Sequence, residues 1–363
     1  MYRDLAAAEL ASRLGTDRAP VLIDVREPED YADWSIPGAR NVPLGHLAAR
    51  IDEIPLEVEV VTVCASGNRS ALAAEVLSRA GRRVANLAGG MVAWGGVYDS
   101  VTIELDGLRV VQIRRRGKGC LSYLVGTGGE AFAVDPSTDL AIYLDLVDEH
   151  GWRIARVFDT HLHADHLSGA RRLADATGAS LHLNPADSFG FPYRPLGDGD
   201  RFELPGGVTF GVAAVHAPGH TRGSTVFLVG EGVILSGDTL FVDGVGRPDL
   251  ADEAEAFAHG LYDTLQRKLL TRPEDSLVLP AHYGDSVEVR PDQPVGAALG
   301  DLRAGLEVLG LDEAAFVAWA SGSVSARPPN YAAIVAANMG RPSAPLADLR
   351  LLELGPNRCS VSP

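Results

Sequence analysis

Cysteine is scarce in this chain of 363 residues: Cys64, Cys120 and Cys359 are the only three, an odd number without framework spacing. That excludes a disulfide scaffold and points to a reducing compartment, so a cytoplasmic protein is expected. Basic charge is also short, with 32 Lys and Arg against 48 Asp and Glu, a formal net charge of −16 and a pI near 5.0. A phosphate backbone or an anionic bilayer would repel such a surface at long range, which argues against nucleic acid and membrane as partners. No run approaches the roughly 18 apolar residues of a membrane span. The opening segment MYRDLAAAELASRLG reads as an amphipathic helix, because Arg3, Asp4, Glu9 and Arg13 interrupt the apolar core a signal peptide needs. Internal repeats, low-complexity tracts and a Pro- or Ser-rich linker are all missing.

What is present suffices for two globular cores. Hydrophobic content of 46% and charged content of 22% describe an ordinary globular protein longer than a typical single domain. The pattern divides at Gly95–Asp99, into a unit of residues 1–98, a unit of residues 101–345 and a tail of residues 346–363. The join is short, so the units are expected to touch. Alternating short strands and helices in the first unit predict a mainly parallel sheet with helices on both faces. Beyond His282, GAALGDLRAGLEVLG, DEAAFVAWASG and NYAAIVAANMG each carry apolar residues at helical spacing. The basic run Arg114–Lys118 is expected to be a solvated hairpin turn, Cys120 a packing residue on a strand, and Cys359 part of a frayed end.

Two places carry chemistry. THLHADH puts His161, His163, Asp165 and His166 where a strand-like run, RIARVF, breaks into a loop; imidazoles two residues apart at a strand end turn toward one point. His220 in APGHTRGS, Asp238 in LSGDTLF and His282 in LPAHYGDS each follow an apolar β-rich run that ends in turn-forming residues. Together these seven predict a metal cage, whereas His46, His150, His182, His216 and His259 read as ordinary core or surface residues. The second place is Cys64-Ala65-Ser66-Gly67-Asn68-Arg69, a loop between an apolar strand at 58–63 and a helix beginning near Ser70. A thiol there faces a helix N-terminus and a curl of backbone N–H groups, Gly67 permits the tight turn, and Arg69 adds positive charge, all of which favour a thiolate.

VLIDVREPEDY, SIPGARNVPL, VVTVCASGNRSALAAEVL and VANLAGGMVAW resemble, in that order, the landmarks of a rhodanese domain. The histidine and aspartate constellation, with KGCLSYLVGTGGEAFAVDP and SLVLPAHYGDS around it, resembles the metallo-β-lactamase superfamily over about residues 101–340. The resemblances imply an α/β rhodanese domain followed by an αββα sandwich with a short helical C-terminal extension. GDTLFVDGVGRPDL and ARPPNYAAIVAANMG are similar to persulfide dioxygenases of that superfamily, although fused members often carry the rhodanese behind the lactamase-like unit.

The dioxygenase resemblance implies one Fe(II) per chain, held by His161, His220 and Asp238, with His163, Asp165, His166 and His282 supporting it and Arg247 and Tyr283 toward the substrate. The implied reaction takes a low-molecular-weight thiol persulfide and O2 to sulfite and thiol, while Cys64, backed by Arg69, moves sulfur among thiosulfate, sulfite and persulfide. Two alternatives stay open: a glyoxalase II-type hydroxyacylglutathione hydrolase in which His163, Asp165, His166 and His282 help hold a second Zn or Fe ion, and a sulfur-carrier or sensor protein. A homo-oligomer is compatible with either.

Overall fold

The structure is a computed structural model that describes every residue except 106, 205–210, 249–252, 285, 324–329, 343–344, 346–348, 350–351, 356–358 and 362–363. Much of the expected tail, the start of ARPPNYAAIVAANMG and the end of GDTLFVDGVGRPDL therefore lie outside the described residues. Among the described residues no helix is long and apolar enough to cross a membrane.

The first unit is a parallel five-stranded sheet ordered Arg3–Leu5, Val84–Leu87, Val60–Val63, Val21–Asp24, Arg40–Asn41. Neighbouring residues on one strand serve opposite cores. Val61 and Val63 join Leu5, Leu87, Met91 and Trp94, whereas Val60 joins Ile23, Ala73 and Leu77. Burial on both faces explains the continuous apolar runs of its central strands. The opening segment departs from the expected single helix: Arg3–Leu5 is a strand paired with Ala85–Leu87, and only Ala7–Arg13 is helical. Asp4 accepts a hydrogen bond from Asn86 Nδ2 at 2.7 Å, so sheet pairing overrides the local helical pattern there.

The second unit stacks two sheets. One runs, in spatial order, Arg194–Pro195, Ser180–Leu183, Arg153–Phe158, Glu130–Val134, Cys120–Thr127, Leu108–Arg115, Tyr98–Leu105; the other runs Arg201–Glu203, Gly211–His216, Thr225–Val229, Val233–Gly237, Leu277–Pro280, Ala297–Ala298. Val110, Tyr123, Phe132 and Phe158 of the first meet Phe227, Val229, Leu235 and Leu279 of the second in one core. Outside the first sheet, Tyr143, Leu146 and Leu173 of helices Leu140–Glu149 and Ala170–Thr177 cover Val111, Leu124 and Val157. Outside the second, helices Ala254–Thr264 and Glu313–Gly322 bring Ala258, Leu261 and Phe316 onto Val226, Ile234 and Val278. The result is the expected αββα sandwich, and Leu299–Gly305, Glu313–Gly322 and Tyr331–Asn338 are the expected late helices.

The two units are in contact: Trp34 Nε1 donates to Gly117 O at 2.9 Å, and a Cβ on Gly117 would lie 2.3 Å from Trp94 O. The basic run at this join is a hairpin but not a solvated one. Arg114 is fully buried, with its guanidinium on Asp99 at 2.6 Å and on the carbonyls of Arg290 and Gln293, while Arg115 pairs with Glu353 at 3.0 Å. Cations that read as surface charge are buried because each finds a carboxylate or a set of carbonyls on the neighbouring strand or far along the chain.

Candidate metal centre and sulfur loop

The Cys64 loop is built by two glycine-bearing turns that lock together. The strand Val60–Val63 ends at Cys64, and Gly67, at φ 94°, precedes the helix Asn68–Arg79. A Cβ at Gly67 would lie 2.9 Å from Gly89 N, and one at Gly90 would lie 2.1 Å from Cys64 O, so LAGGM is pressed against the loop. Met91 N donates to Cys64 O at 2.8 Å and Val92 N to Ala65 O at 3.1 Å. Cys64 Sγ accepts from Gly67 N and from Ser70 Oγ, each at 3.2 Å. Burial pushes the thiol up, but the Ser70 hydroxyl and the backbone N–H groups of Ser70, Ser66 and Gly67 more than reverse it, leaving the thiol below its ordinary value.

No local pattern marks Ser70; its single hydroxyl proton is shared between Cys64 Sγ and Asn86 Oδ1, the latter at 2.6 Å, and Asn86 Nδ2 in turn donates to Asp4 at 2.7 Å. Arg69 is placed toward solvent. Its guanidinium is part-exposed and lies 3.9 Å from Asp30.

The metal loop follows the strand Arg153–Phe158. Asp135, at φ 51° the described non-glycine residue with positive φ, aims its carboxylate at the Thr160 N–H (2.6 Å) and at His163 Nε2 (3.1 Å). That unusual backbone is held by the loop it organises. Asp187 ties this loop to the next by accepting from Leu162 N at 3.0 Å, Thr221 Oγ1 at 2.8 Å and Gly223 N at 2.9 Å. Neither aspartate was singled out from sequence for this role, because short-range patterns do not reveal contacts across 25 residues or more.

The seven cage residues converge as expected, all between 0% and 4% exposed. Ligand atoms of His161, His220 and Asp238 lie within 4.8 Å of one another, and so, as a second group, do those of Cys120, Asp165, His166 and His282. His161 Nε2 is 3.5 Å and His220 Nε2 3.3 Å from Asp238 Oδ2. The opposite ring nitrogens are fixed, His161 Nδ1 by Thr160 Oγ1 at 2.9 Å and His220 Nδ1 by Arg247 O at 2.9 Å. His282 Nδ1 lies 2.7 Å from Asp238 Oδ1. His161 Nε2, His163 Nδ1, His220 Nε2, His282 Nε2 and Asp238 Oδ2 are buried without a hydrogen-bond partner of acceptable geometry. Buried polar atoms left this way call for an occupant, and imidazole nitrogens with a carboxylate are a fitting donor set for a divalent transition metal.

At His161 and Asp238 the charges agree with that reading. Burial, and then His163, hold His161 well below the ordinary imidazole range, in the neutral form a metal requires. Burial would raise Asp238 and Asp165, but His282, with His161 for the former and His166 for the latter, holds both carboxyls well down. Burial would lower His166, yet Cys120 and Asp165 push it up to about 10.

Cys120 lies on the expected strand but is not merely packing: Leu121 N donates to Ala281 O at 2.7 Å and Tyr283 N to Gly119 O at 3.0 Å, a register that sets Cys120 opposite His282 with Sγ 3.7 Å from Asp165 Oδ2. Cys359 also departs from expectation. It is 3% exposed, its carbonyl accepts from Arg247 N at 3.0 Å, and Ser360–Val361 pairs with Val245–Gly246, so this part of the tail is pinned rather than frayed. Arg247 is 2% exposed and acts here through its backbone. Tyr283 lines a cavity of about 430 Å³ at the join between the units, together with Trp34, Trp94, Arg116 and Lys118.

Comparison with known proteins agrees with both halves. Residues 6–96 match the Rhodanese-like domain family and residues 115–282 the Metallo-beta-lactamase superfamily. An uncharacterized protein of Mycobacterium tuberculosis is 31% identical over 194 residues, 45% of this chain and 84% of that protein. A hydroxyacylglutathione hydrolase of Methylobacillus flagellatus is 36% identical over 125 residues, 34% of this chain but only 49% of the hydrolase. The structure of ETHE1 from Myxococcus xanthus superposes with a TM-score of 0.56 at 25% identity, covering 64% of this chain and 99% of that one. The fold and the cage define an αββα sandwich with a candidate metal site, joined to a Rhodanese-like domain. The chain belongs to the metallo-beta-lactamase superfamily, with a Rhodanese-like domain in front.

Proposed function

We propose that the lactamase-like domain is a persulfide dioxygenase fed by the sulfur loop. His161, His220 and Asp238 would hold one Fe(II) through two imidazoles and one carboxylate, a donor set that would leave room for a sulfur substrate and O2. Bound iron supplies the means of bringing both reactants into one coordination sphere. The balanced reaction is RSSH + O2 + H2O → RSH + sulfite + two protons. The rest falls to the chain: Thr160 and the Arg247 carbonyl orient the two imidazoles, His282 steadies Asp238, and the buried surroundings exclude bulk water. At the other site, the Cys64 thiolate attacks the outer sulfur of thiosulfate; the S–S bond breaks, sulfite leaves with the electron pair, and Cys64 carries a persulfide to a low-molecular-weight thiol such as glutathione.

The observation that carries this reading is the grouping of ligand atoms: His161, His220 and Asp238 form one set, and His163, which a four-ligand first site would need, is not in it. A fused sulfur loop with a lowered thiol gives such an enzyme a supply of persulfide. The second reading, a two-metal hydroxyacylglutathione hydrolase, is favoured by the Cys120, Asp165, His166 and His282 group and by the likeness to the Methylobacillus hydrolase. Oxygen uptake and sulfite release from glutathione persulfide, set against hydrolysis of S-lactoylglutathione by the same preparation, decides between them. Rapid thioester hydrolysis with no oxygen uptake would overturn the dioxygenase.

A further inference from the structure

The cavity at the join is built by both units and bounded by two contacts between them. At one, Trp34 Nε1 donates to Gly117 O at 2.9 Å, and Gly117 is pressed against the Trp94 carbonyl. At the other, Gly15 comes so close to the second unit that a Cβ on it would lie 3.1 Å from Val289 O. The space of about 430 Å³ that these residues line is walled further by Arg116, Lys118, Tyr283 and Glu288. Neither unit forms it alone.

Both chemistries back onto this space. Tyr283 follows His282 and Gly119 precedes Cys120, and Tyr283 N donates to Gly119 O at 3.0 Å, so one wall continues the two segments that carry these cage residues. Trp94 ends the helix Gly90–Trp94, whose Met91 N donates to Cys64 O at 2.8 Å.

The wall is also positively charged. Arg114 and Arg116 share a single carboxylate, Asp99, at 2.6 and 2.8 Å, and the carbonyls of Arg290 and Gln293 that also bind Arg114 carry no net charge. Two guanidiniums on one carboxylate leave a surplus cation, and the buried Lys118 lines the same wall. Glu288, the acidic residue of the lining, lies 3.1 Å from Arg290. Positive charge gathered at one place in a chain of net charge −16 has an anion as its complement, and a guanidinium fork matches a carboxylate.

We propose that this cavity holds the low-molecular-weight thiol: a carboxylate-bearing thiol of tripeptide size, its anionic end on Arg116 and its body against Trp34, kept between the unit that loads its sulfur and the unit that oxidises it. This rests on the persulfide reading above and adds that the Rhodanese-like domain supplies part of the substrate site. The volume stands near the lower end of the roughly 300–1,000 Å³ of small-molecule sites, which suits a short peptide better than a thiol with a nucleotide tail. Holding the thiol here is a binding step with no bond made or broken.

The test is calorimetric titration of the full-length protein with glutathione, before and after removal of metal by chelation, set beside glutathione diethyl ester, coenzyme A and thiosulfate. Glutathione is expected to bind one per chain in both preparations, and in Cys64→Ala. The ester, and Arg116→Met titrated with glutathione, are expected to bind roughly 10- to 100-fold more weakly, the loss of one charge-assisted hydrogen bond. Ala19→Phe, which fills the cavity from its exposed rim and leaves every cation in place, is expected to weaken glutathione in the same way and to raise KM for glutathione persulfide more than it lowers kcat. Glutathione bound equally by wild type and Ala19→Phe, binding lost on chelation, tighter binding of coenzyme A, or thiosulfate bound in place of glutathione would each overturn the inference. Oxygen uptake from glutathione persulfide in the same protein would then leave the dioxygenase standing, whereas its absence alongside intact glutathione binding would remove the dioxygenase and keep a thiol site.

Discussion

The amide of Asn338 donates to the backbone carbonyls of His163 and His166, each at 2.8 Å, while its oxygen accepts from Ser168 N at 2.9 Å. One side chain from the helix Tyr331–Asn338 thus closes three backbone groups of the metal loop. A loop carrying four cage residues has no ladder of its own, so its orphaned carbonyls need a partner from elsewhere.

Asn338→Leu should therefore expose the cost of leaving those groups unpaired. Each buried group that loses its partner costs about 1–3 kcal/mol, so the variant should be destabilised by a few kcal/mol and should bind metal about 10- to 100-fold more weakly. Chemical denaturation and competitive chelation measure the two effects. Unchanged metal affinity would mean that the helix supports the fold and not the loop.

The relation between Ser70 and Cys64 leads to a pH prediction. The folded thiol lies below its ordinary value, so its thiolate population, and with it the alkylation rate, should reach a plateau at lower pH than an ordinary cysteine. Ser70→Ala removes the hydroxyl that opposes burial and should move the profile to higher pH, slowing alkylation at neutral pH. Arg69→Ala should move it less, because the guanidinium is part-exposed and lies near Asp30. By linkage, ionised Cys64 stabilises the fold above the unfolded thiol's pKa, and that contribution is lost as pH falls through the folded value. A larger shift in Arg69→Ala than in Ser70→Ala would contradict this account.

How much of this was legible in the sequence follows from the range of each interaction. THLHADH, APGH, SGDT and PAHY are local signals, since a candidate ligand at a strand end is followed by turn residues, and in the structure all seven are buried in adjoining groups. The Cys64 loop reads for the same reason: strand, glycine and helix are contiguous. What stayed illegible depends on partners far along the chain. Cys359 looked like a frayed end because nothing near it in sequence names Val245–Gly246 as its partner strand. Arg114 and Arg115 looked solvated because Asp99, Glu353 and the carbonyls of Arg290 and Gln293 become their neighbours only on folding.

The Arg115 and Glu353 pair is buried on both sides and links the hairpin to the C-terminal segment. Removing one partner of such a pair leaves an uncompensated charge and costs about 3–5 kcal/mol, whereas replacing both with apolar groups is often far milder. Arg115→Met alone should accordingly lower stability more than Arg115→Met with Glu353→Leu, the Leu167 N–H that Glu353 serves setting a remaining penalty on the double variant. Denaturation midpoints of the two variants give the comparison. A double variant no more stable than the single one would show that Glu353 acts through Leu167 rather than through the ion pair.

The separation of His163 from the triad carries the most discriminating prediction. His161→Ala, His220→Ala and Asp238→Asn each remove a ligand from the proposed iron set, and each should lose iron together with persulfide-dependent oxygen uptake. His163→Ala should keep most of its iron, because its Nε2 is engaged by Asp135 and its ligand atoms fall outside the group formed by the other three. It should still lose activity in part, since the imidazole lies beside His161, with ring centroids 4.2 Å apart, and lowers its basicity. Metal analysis of protein purified without added metal gives the reading directly: one iron per chain in wild type and in His163→Ala, and almost none in the triad variants. If His163→Ala loses metal as completely as His161→Ala, three histidines hold the first ion, the unpartnered His163 Nδ1 is a ligand atom, and the two-metal hydrolase becomes the better account of the cage.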